Sequence, residues 1–339
     1  MRYVKYKLKI IILILLFILV SDIYGQVKVI LDTDMGSDCD DVGAMALLHR
    51  YADQEKVDIL GCIYSSGKVP YGAGIIDAIN IYYGRPEIPI GANWNEEVGD
   101  PKDKMSAEKL ARDRAAFGNS IIHNKDAIEQ TRLNRRILAN QEDGSVTYVT
   151  IGHTRALYDL LGSEPDSISP LNGFELIRKK VKRWIALGGL GAYNQNENYV
   201  KDWNFFFNNT AEYTEYLVDN IPVDVFFIDA GSEVMTGKSL ISTPSGNIVR
   251  TAYRDWLWNV FEKTLADQRP SWDLAAVYYA VEGLGNYLKK APAGRLEFDA
   301  QKGCRWLIEE KPANHHLIIQ KEDVNQEFAK YLNKMIGEH

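Results

Sequence analysis

The chain has 339 residues, with 46 acidic against 39 basic side chains and a net charge of −7. That balance argues against binding to nucleic acid polymers, whose phosphates demand a basic footprint. Three cysteines (Cys39, Cys62 and Cys304) without CxxC spacing argue against a disulfide framework, a zinc ribbon or a redox dithiol.

Arg2, Lys5, Lys7 and Lys9 precede an unbroken apolar run from Ile10 to Val20, and Ser21, Gly25 and Gln26 offer a small-residue exit. This is the layout of a secretory signal peptide, with cleavage expected after Gly25. The apolar run is shorter than the ~20 residues that span a bilayer as a helix. The expected division is a signal peptide over 1–25 and one large domain over 26–339. Losing four positive charges and Asp22 moves the net charge from −7 to −10. The mature protein is expected to be secreted or periplasmic, with no membrane association after cleavage.

Val27–Leu31 reads as a buried strand and Val42–Tyr51 as a helix. Val57–Tyr64 is a second strand, Ile75–Tyr83 a helix, and Ile88–Ile90 a short third strand. The polar stretch from Asn93 to Ser120 reads as a surface loop or lid. A helix is expected over Ile121–Asn140, and strands over Val146–Ile151, Trp184–Leu187 and Val223–Ile228. Between the last two lies an Asn- and aromatic-rich segment, Ala192–Asn209, that core packing does not require. Helices follow at Ile248–Leu265 and Trp272–Val281, short strands at Leu296–Phe298, Cys304–Ile308 and His316–Ile319, and a final helix over Val324–Ile336. Apolar strand-length runs alternating with helical patterns predict a single α/β domain, with a mostly parallel central sheet flanked by helices.

The most informative stretch is Asp32-Thr33-Asp34-Met35-Gly36-Ser37-Asp38-Cys39-Asp40-Asp41. It follows a buried strand and precedes a helix, the carboxyl edge where open α/β sheets bind ligands. Five carboxylates in ten residues repel one another, and a hard divalent cation that takes oxygen ligands relieves the conflict. The following helix N-terminus also favours negative charge. An EF-hand starting at Asp32 fails, because its sixth and twelfth places hold Ser37 and Gly43. Gly36 stands where an Asp-x-Asp-x-Thr phosphatase loop needs Thr or Val, and Gly188-Gly189-Leu190-Gly191 lacks the third spaced glycine of a dinucleotide fingerprint. No basic residue close in sequence lowers the Cys39 thiol, so it is not expected to be a nucleophile.

This loop resembles the opening motif of the inosine–uridine-preferring nucleoside hydrolase family, Asp-x-Asp-Pro-Gly-x-Asp-Asp, with Asp40-Asp41 displaced by two extra residues. The Ser-Asp-Cys-Asp-Asp variant resembles a secreted bacterial-type branch. Further segments resemble family landmarks in order: Tyr148 to Gly152, Leu187-Gly188-Gly189, Asp202-Trp203-Asn204-Phe205, and Ser271 to Ala276. The resemblance implies that Asp34, Asp41, Asp273 and the Ile151 carbonyl bind Ca2+, and that Asp34 also takes the proton from the attacking water. It implies that Asp40, Asn204 and Asp202 hold sugar hydroxyls. Asp38 has no counterpart and is a candidate replacement ligand.

Three segments depart from the family pattern. Trp272 stands in place of a late His linked to protonating the leaving base; it can stack on a base but cannot donate a titratable proton. Ser65-Ser66-Gly67-Lys68 replaces a Val-Gly-Asn turn, and His153-Thr154-Arg155-Ala156 replaces Pro-Leu-Thr-Asn. His153 reads as a structural hydrogen-bonding group, with a substitute acid as the alternative, and His123 as a helix-surface residue. Asn194, Asn196 and Asn198 are candidates for a further sugar contact. Of the aromatic run, Trp203 is the candidate wall of a base pocket.

The function expected is calcium-dependent hydrolysis of the N-glycosidic bond of a ribonucleoside or related ribosyl compound. The alternatives are a non-catalytic calcium-dependent sugar or nucleoside binder, and a hydrolase of another glycoside on the same scaffold. A homo-oligomer is implied by the resemblance only.

Overall fold

The structure is a computed structural model that describes residues 25–194, 196–309 and 314–338. The expected signal peptide lies outside these residues, Gly25 apart. Among the described residues no helix is long and apolar enough to cross a membrane.

The strands are β1 (Val27–Thr33), β2 (Val57–Tyr64), β3 (Ile90–Ala92), β4 (Ile128–Glu129), β5 (Val146–Thr150), β6 (Val181–Leu187), β7 (Val225–Asp229), β8 (Met235–Thr236), β9 (Arg269–Pro270), β10 (Leu288–Lys290), β11 (Gly294–Asp299), β12 (Gly303–Ile308) and β13 (His315–Gln320). Nine form one sheet in the order β10-β13-β7-β6-β5-β1-β2-β3-β4. Only β10 runs antiparallel to its neighbour; the other neighbours are parallel. This is the α/β domain with a largely parallel, helix-flanked sheet that the alternation predicts. β1 is buried from Val29 to Thr33, as a strand covered on both faces must be.

Side chains sort to the two faces with period two. Val29, Leu31, Val149 and Ile185 point into one core, and Ile30, Tyr148, Trp184 and Ala186 into the other. The first core is closed by helices α1 (Asp40–Asp53), α2 (Gly72–Tyr82), α7 (Ile248–Phe261), α8 (Trp272–Glu282) and α9 (Asn325–Gly337). The second is closed by α3 (Gln130–Ala139), α4 (Arg155–Leu161), α5 (Gly173–Lys180) and α6 (Ala211–Asn220).

The expected helix over Ile121–Asn140 is shorter in the structure. The His123–Asp126 capping box holds one turn of 3-10 helix at Asn124–Asp126. Glu129 then restarts the chain as N-cap of α3, accepting from the N–H groups of Thr131 (3.0 Å) and Arg132 (2.9 Å). The expected loop from Asn93 to Ser120 carries short helices at Ala107–Arg112 and Arg114–Phe117.

The direction of strand progression reverses at β1. From there the chain moves one way through β2, β3 and β4, then returns to the other side as β5, β6 and β7. The carboxyl ends of β1 and β5 therefore open a crevice, the switch point where such sheets place ligands.

Trp184 anchors the middle of the sheet: it is fully buried, and its Nε1 donates to Thr150 Oγ1 at 3.0 Å. Trp184→Ala should cost about 3–5 kcal/mol, read as a lowered midpoint in urea unfolding.

Candidate active site

The acidic loop sits at the switch point. Asp32 is the last residue of β1 paired with β5, opposite Thr150, and its carbonyl accepts from the Ile151 N–H at 2.8 Å. Asp40 and Asp41 are the first two residues of α1, and Asp273 is the second residue of α8. Two helix N-termini thus bring their positive dipole ends and acidic first turns to one place, each favouring negative charge there. The Thr33 hydroxyl donates to Asp41 Oδ1 and accepts from the Met35 N–H at 3.2 Å, which pins the loop.

Asp38, Asp40 and Asp273 each offer an oxygen within 4.8 Å of the others, a group able to hold a metal ion. Asp34 and Asp41 stand close enough to repel these three. Burial first, then the charges of the neighbouring carboxylates, raises Asp34, Asp41 and Asp273 well above the usual carboxylate range. Asp40 is pushed up to about 8 by burial, against the pull of Arg269. Burial pushes Asp38 up most strongly, but the charge of Arg269, hydrogen bonding with Asp40 and Asp41 and the charge of Lys104 together outweigh it and hold this carboxyl below its ordinary value.

Arg269 is the residue that the sequence reading missed. Its NH2 group donates to Asp38 Oδ2 and its Nε to Asp40 Oδ1, both at 3.0 Å. The guanidinium lies over the rings of Trp256 (4.3 Å) and Trp272 (4.9 Å). Strand β9 delivers it by pairing with β8, where Thr236 faces Arg269. The only sequence signal was an arginine four residues ahead of Asp273, in a stretch without periodicity.

A cavity of about 310 Å³ opens beside the cluster, the size of a small-ligand pocket. Asp38, Asp40 and Asp273 line one side, together with Asn204. Trp203, Trp256, Trp272 and Arg269 form much of the rest, with Lys104 from the stretch expected to be a lid. Asn204 Nδ2 donates to the Ile151 carbonyl at 2.8 Å, so the structure joins two residues to which the resemblance gives separate roles.

Asp202 is placed elsewhere. It caps the one-turn helix Trp203–Phe206, accepting from the N–H groups of Gly189 (2.6 Å) and Phe205 (2.7 Å), and it does not line the cavity. Asn194 folds its own loop, accepting from the N–H groups of Asn196 (3.2 Å) and Asn198 (3.1 Å).

His153 is fully buried behind the cluster. Its Nδ1 lies 3.2 Å from the Asn204 carbonyl and its Nε2 lies 3.3 Å from Asp34 Oδ2. The latter contact is close in distance but lacks hydrogen-bond alignment. Burial pushes the imidazole down to about 4, which makes it neutral at physiological pH. His123 caps the turn at Asn124 and lines a separate cavity with Trp94. Cys39 is buried and burial raises its thiol, so nothing activates it.

The donor set fits a hard divalent cation. Every charged ligand offered is a carboxylate, and Asp38 Oδ1 is buried without a hydrogen-bond partner. Four of these five adjacent carboxyls are raised by burial and by one another, and a dication would favour their ionised form.

No family model matches the chain, and no curated protein matches it. Similarity is found among solved structures. A plant nucleoside hydrolase, the PpNRh1 enzyme, aligns at 16% identity and TM-score 0.63 over 92% of this chain and 99% of its own. A purine-preferring ribonucleoside hydrolase from Gardnerella vaginalis aligns at 14% and 0.62 over 92% and 100%. The type III effector XopQ, solved with adenosine diphosphate ribose, aligns at 13% and 0.63 over 93% of each chain. The chain therefore has the nucleoside hydrolase-like fold.

Two outcomes follow from this geometry. Calcium at a hundredfold excess over its dissociation constant should stabilise the protein by about 2.7 kcal/mol, seen as a rise in Tm that is lost in Asp273→Asn. A Cβ at Gly152 would lie 2.4 Å from the Asp34 nitrogen and 2.8 Å from Asp34 Oδ1. Gly152→Ala should accordingly cost about 1–3 kcal/mol by overpacking and weaken calcium binding in a titration.

Proposed function

We propose that this chain is a calcium-dependent N-glycosidase that hydrolyses a ribonucleoside or related ribosyl compound to ribose and free base. The observation that carries the reading is the meeting of Asp273 with the loop carboxylates, from opposite ends of the chain, beside a tryptophan-walled cavity of nucleoside size. The fold shared with two nucleoside hydrolases supports it.

Asp34, Asp41 and Asp273 with the Ile151 carbonyl would hold calcium, and Asp38 offers a further oxygen. Bound there, the ion would supply a positive charge that acidifies a water and binds a diol, less strongly than zinc would. Asp34 takes the proton from the attacking water, with His153 packed behind it. Asp40, at the cavity wall, accepts a hydrogen bond from a ribose hydroxyl. The carboxylates favour the positive charge that grows on the ribose ring as the bond breaks, as in other glycoside hydrolyses. Trp203 and Trp272 offer ring faces to the base.

The reading extends to the finer assignments. These are membership of the inosine–uridine-preferring family in its secreted bacterial-type branch, a signal peptide over residues 1–25, and a secreted or periplasmic location. They rest on the loop motif and on the basic-then-apolar leader.

One observation favours a second reading, a calcium-dependent sugar or nucleoside binder without turnover: apart from the clustered carboxylates, the cavity wall carries, among the described residues, no His, Cys, Tyr or Glu to act as an acid. Purified protein with calcium should release reducing sugar from members of a broad nucleoside panel. Release should stop with chelator, and Asp34→Asn should lower kcat by about a hundredfold or more. Saturable binding without product would establish the second reading, and silence across the panel would sink the first.

A further inference from the structure

Apart from its clustered carboxylates, the cavity wall lacks, among the described residues, a group that would ordinarily protonate a departing base. His153 is buried behind Asp34 and does not reach the wall. Two of the three lining carboxylates accept from Arg269. Alongside them, against the Trp272 ring, the wall carries fixed positive charge. Arg269 keeps 13% of its side chain exposed, enough to reach the cavity, while two indole faces fix its plane. Two of its five N–H donors are used by Asp38 and Asp40, and the rest meet no described acceptor. Lys104 adds a second cation, 6.0 Å from the Trp203 ring centre and tied to Asp100 at 2.5 Å. A guanidinium stays charged at any working pH, so it stabilises an anion but cannot hand over a proton.

We propose that Arg269 is a catalytic residue that stabilises the departing aglycone as an anion. The site therefore selects ribosyl compounds whose aglycone bears that charge well: phenols with electron-withdrawing groups and heterocycles with an acidic ring N–H. This rests on the glycosidase reading above. In the step, the bond from C1′ to the aglycone breaks and its electron pair goes to the aglycone. The water oxygen bonds to C1′ and its proton goes to Asp34. The released anion takes a proton from solvent, and Asp34 returns its proton there, so charge and atoms balance. Contacts with the Trp256 and Trp272 rings hold the guanidinium before the bond breaks, so little reorganisation accompanies the developing charge.

The test compares 4-nitrophenyl β-D-ribofuranoside, phenyl β-D-ribofuranoside, uridine and adenosine, with calcium, on the full protein, Arg269→Met and Arg269→Lys. The unaltered protein should cleave the nitrophenyl riboside at least about a hundredfold faster than the phenyl riboside, since neither leaving group is protonated. Arg269→Met should lower kcat by about 10²–10³, the loss typical of one anion-stabilising donor, and most for the poorest leaving group. Arg269→Lys should recover part of the rate. Because Arg269→Met also frees Asp38 and Asp40, calcium binding and Tm are measured alongside. A uniform loss across all aglycones would reduce Arg269 to a structural role and overturn the inference, as would equal rates on the nitrophenyl and phenyl ribosides. Either result leaves the glycosidase reading standing. No cleavage of any riboside would remove both.

Discussion

Five carboxyl groups gathered in one crevice, four of them buried and Asp38 part-buried, are the constraint around which this molecule is arranged. Left alone they would repel one another strongly in a medium of low dielectric, and the fold answers with several devices at once. Two helices begin there and point their N-terminal dipoles inward. Thr33 donates to Asp41, and Arg269 takes an oxygen from each of Asp38 and Asp40. The compensation is incomplete, since four of the five carboxyls remain raised by burial and by their neighbours. A protein that maintains so unfavourable an arrangement is organised to receive positive charge, whether from an ion or from a sugar ring losing its aglycone.

The sheet explains why the crevice lies where it does. β1 is the strand at which the winding direction changes, so the loops after β1 and β5 diverge and leave space between them. The Ile151 carbonyl, the Asn204 amide and the His153 ring then form a layer beneath the acidic loop. Gly152 has no room for a side chain because Asp34 packs directly on it.

Much of this was legible in the amino-acid sequence, and the parts that were not have identifiable causes. Buried strands such as β1 and β5 announce themselves by apolar runs. The loop from Asp32 to Asp41 announces itself by a charge density that a solvated turn rarely carries. Asp273 was marked only by its resemblance to a family landmark, and the structure does bring it to the loop. Arg269 could not be read, because a lone arginine between two helices has no pattern and its two acidic partners are more than two hundred residues away. Asp202 resembles a sugar-binding acid by motif, but in three dimensions both of its oxygens cap backbone N–H groups. Helix α5 was missed, and Ile121–Asn140 read as continuous, because polar caps decided those boundaries more than periodicity did; α4 and α6, which begin without a side-chain cap, were missed as well.

The pairing of α1 with α8 has a temporal consequence. A ribosome that has made everything up to the end of β8 has already supplied four of the crevice's acidic groups, yet neither their guanidinium counter-charge nor their fifth member exists. Until α8 docks beside α1, those groups meet water, one another and neutral neighbours such as Thr33. Ion capture is thus a late event in the life of each molecule, and an ion held tightly certifies that synthesis and docking of the closing third have finished.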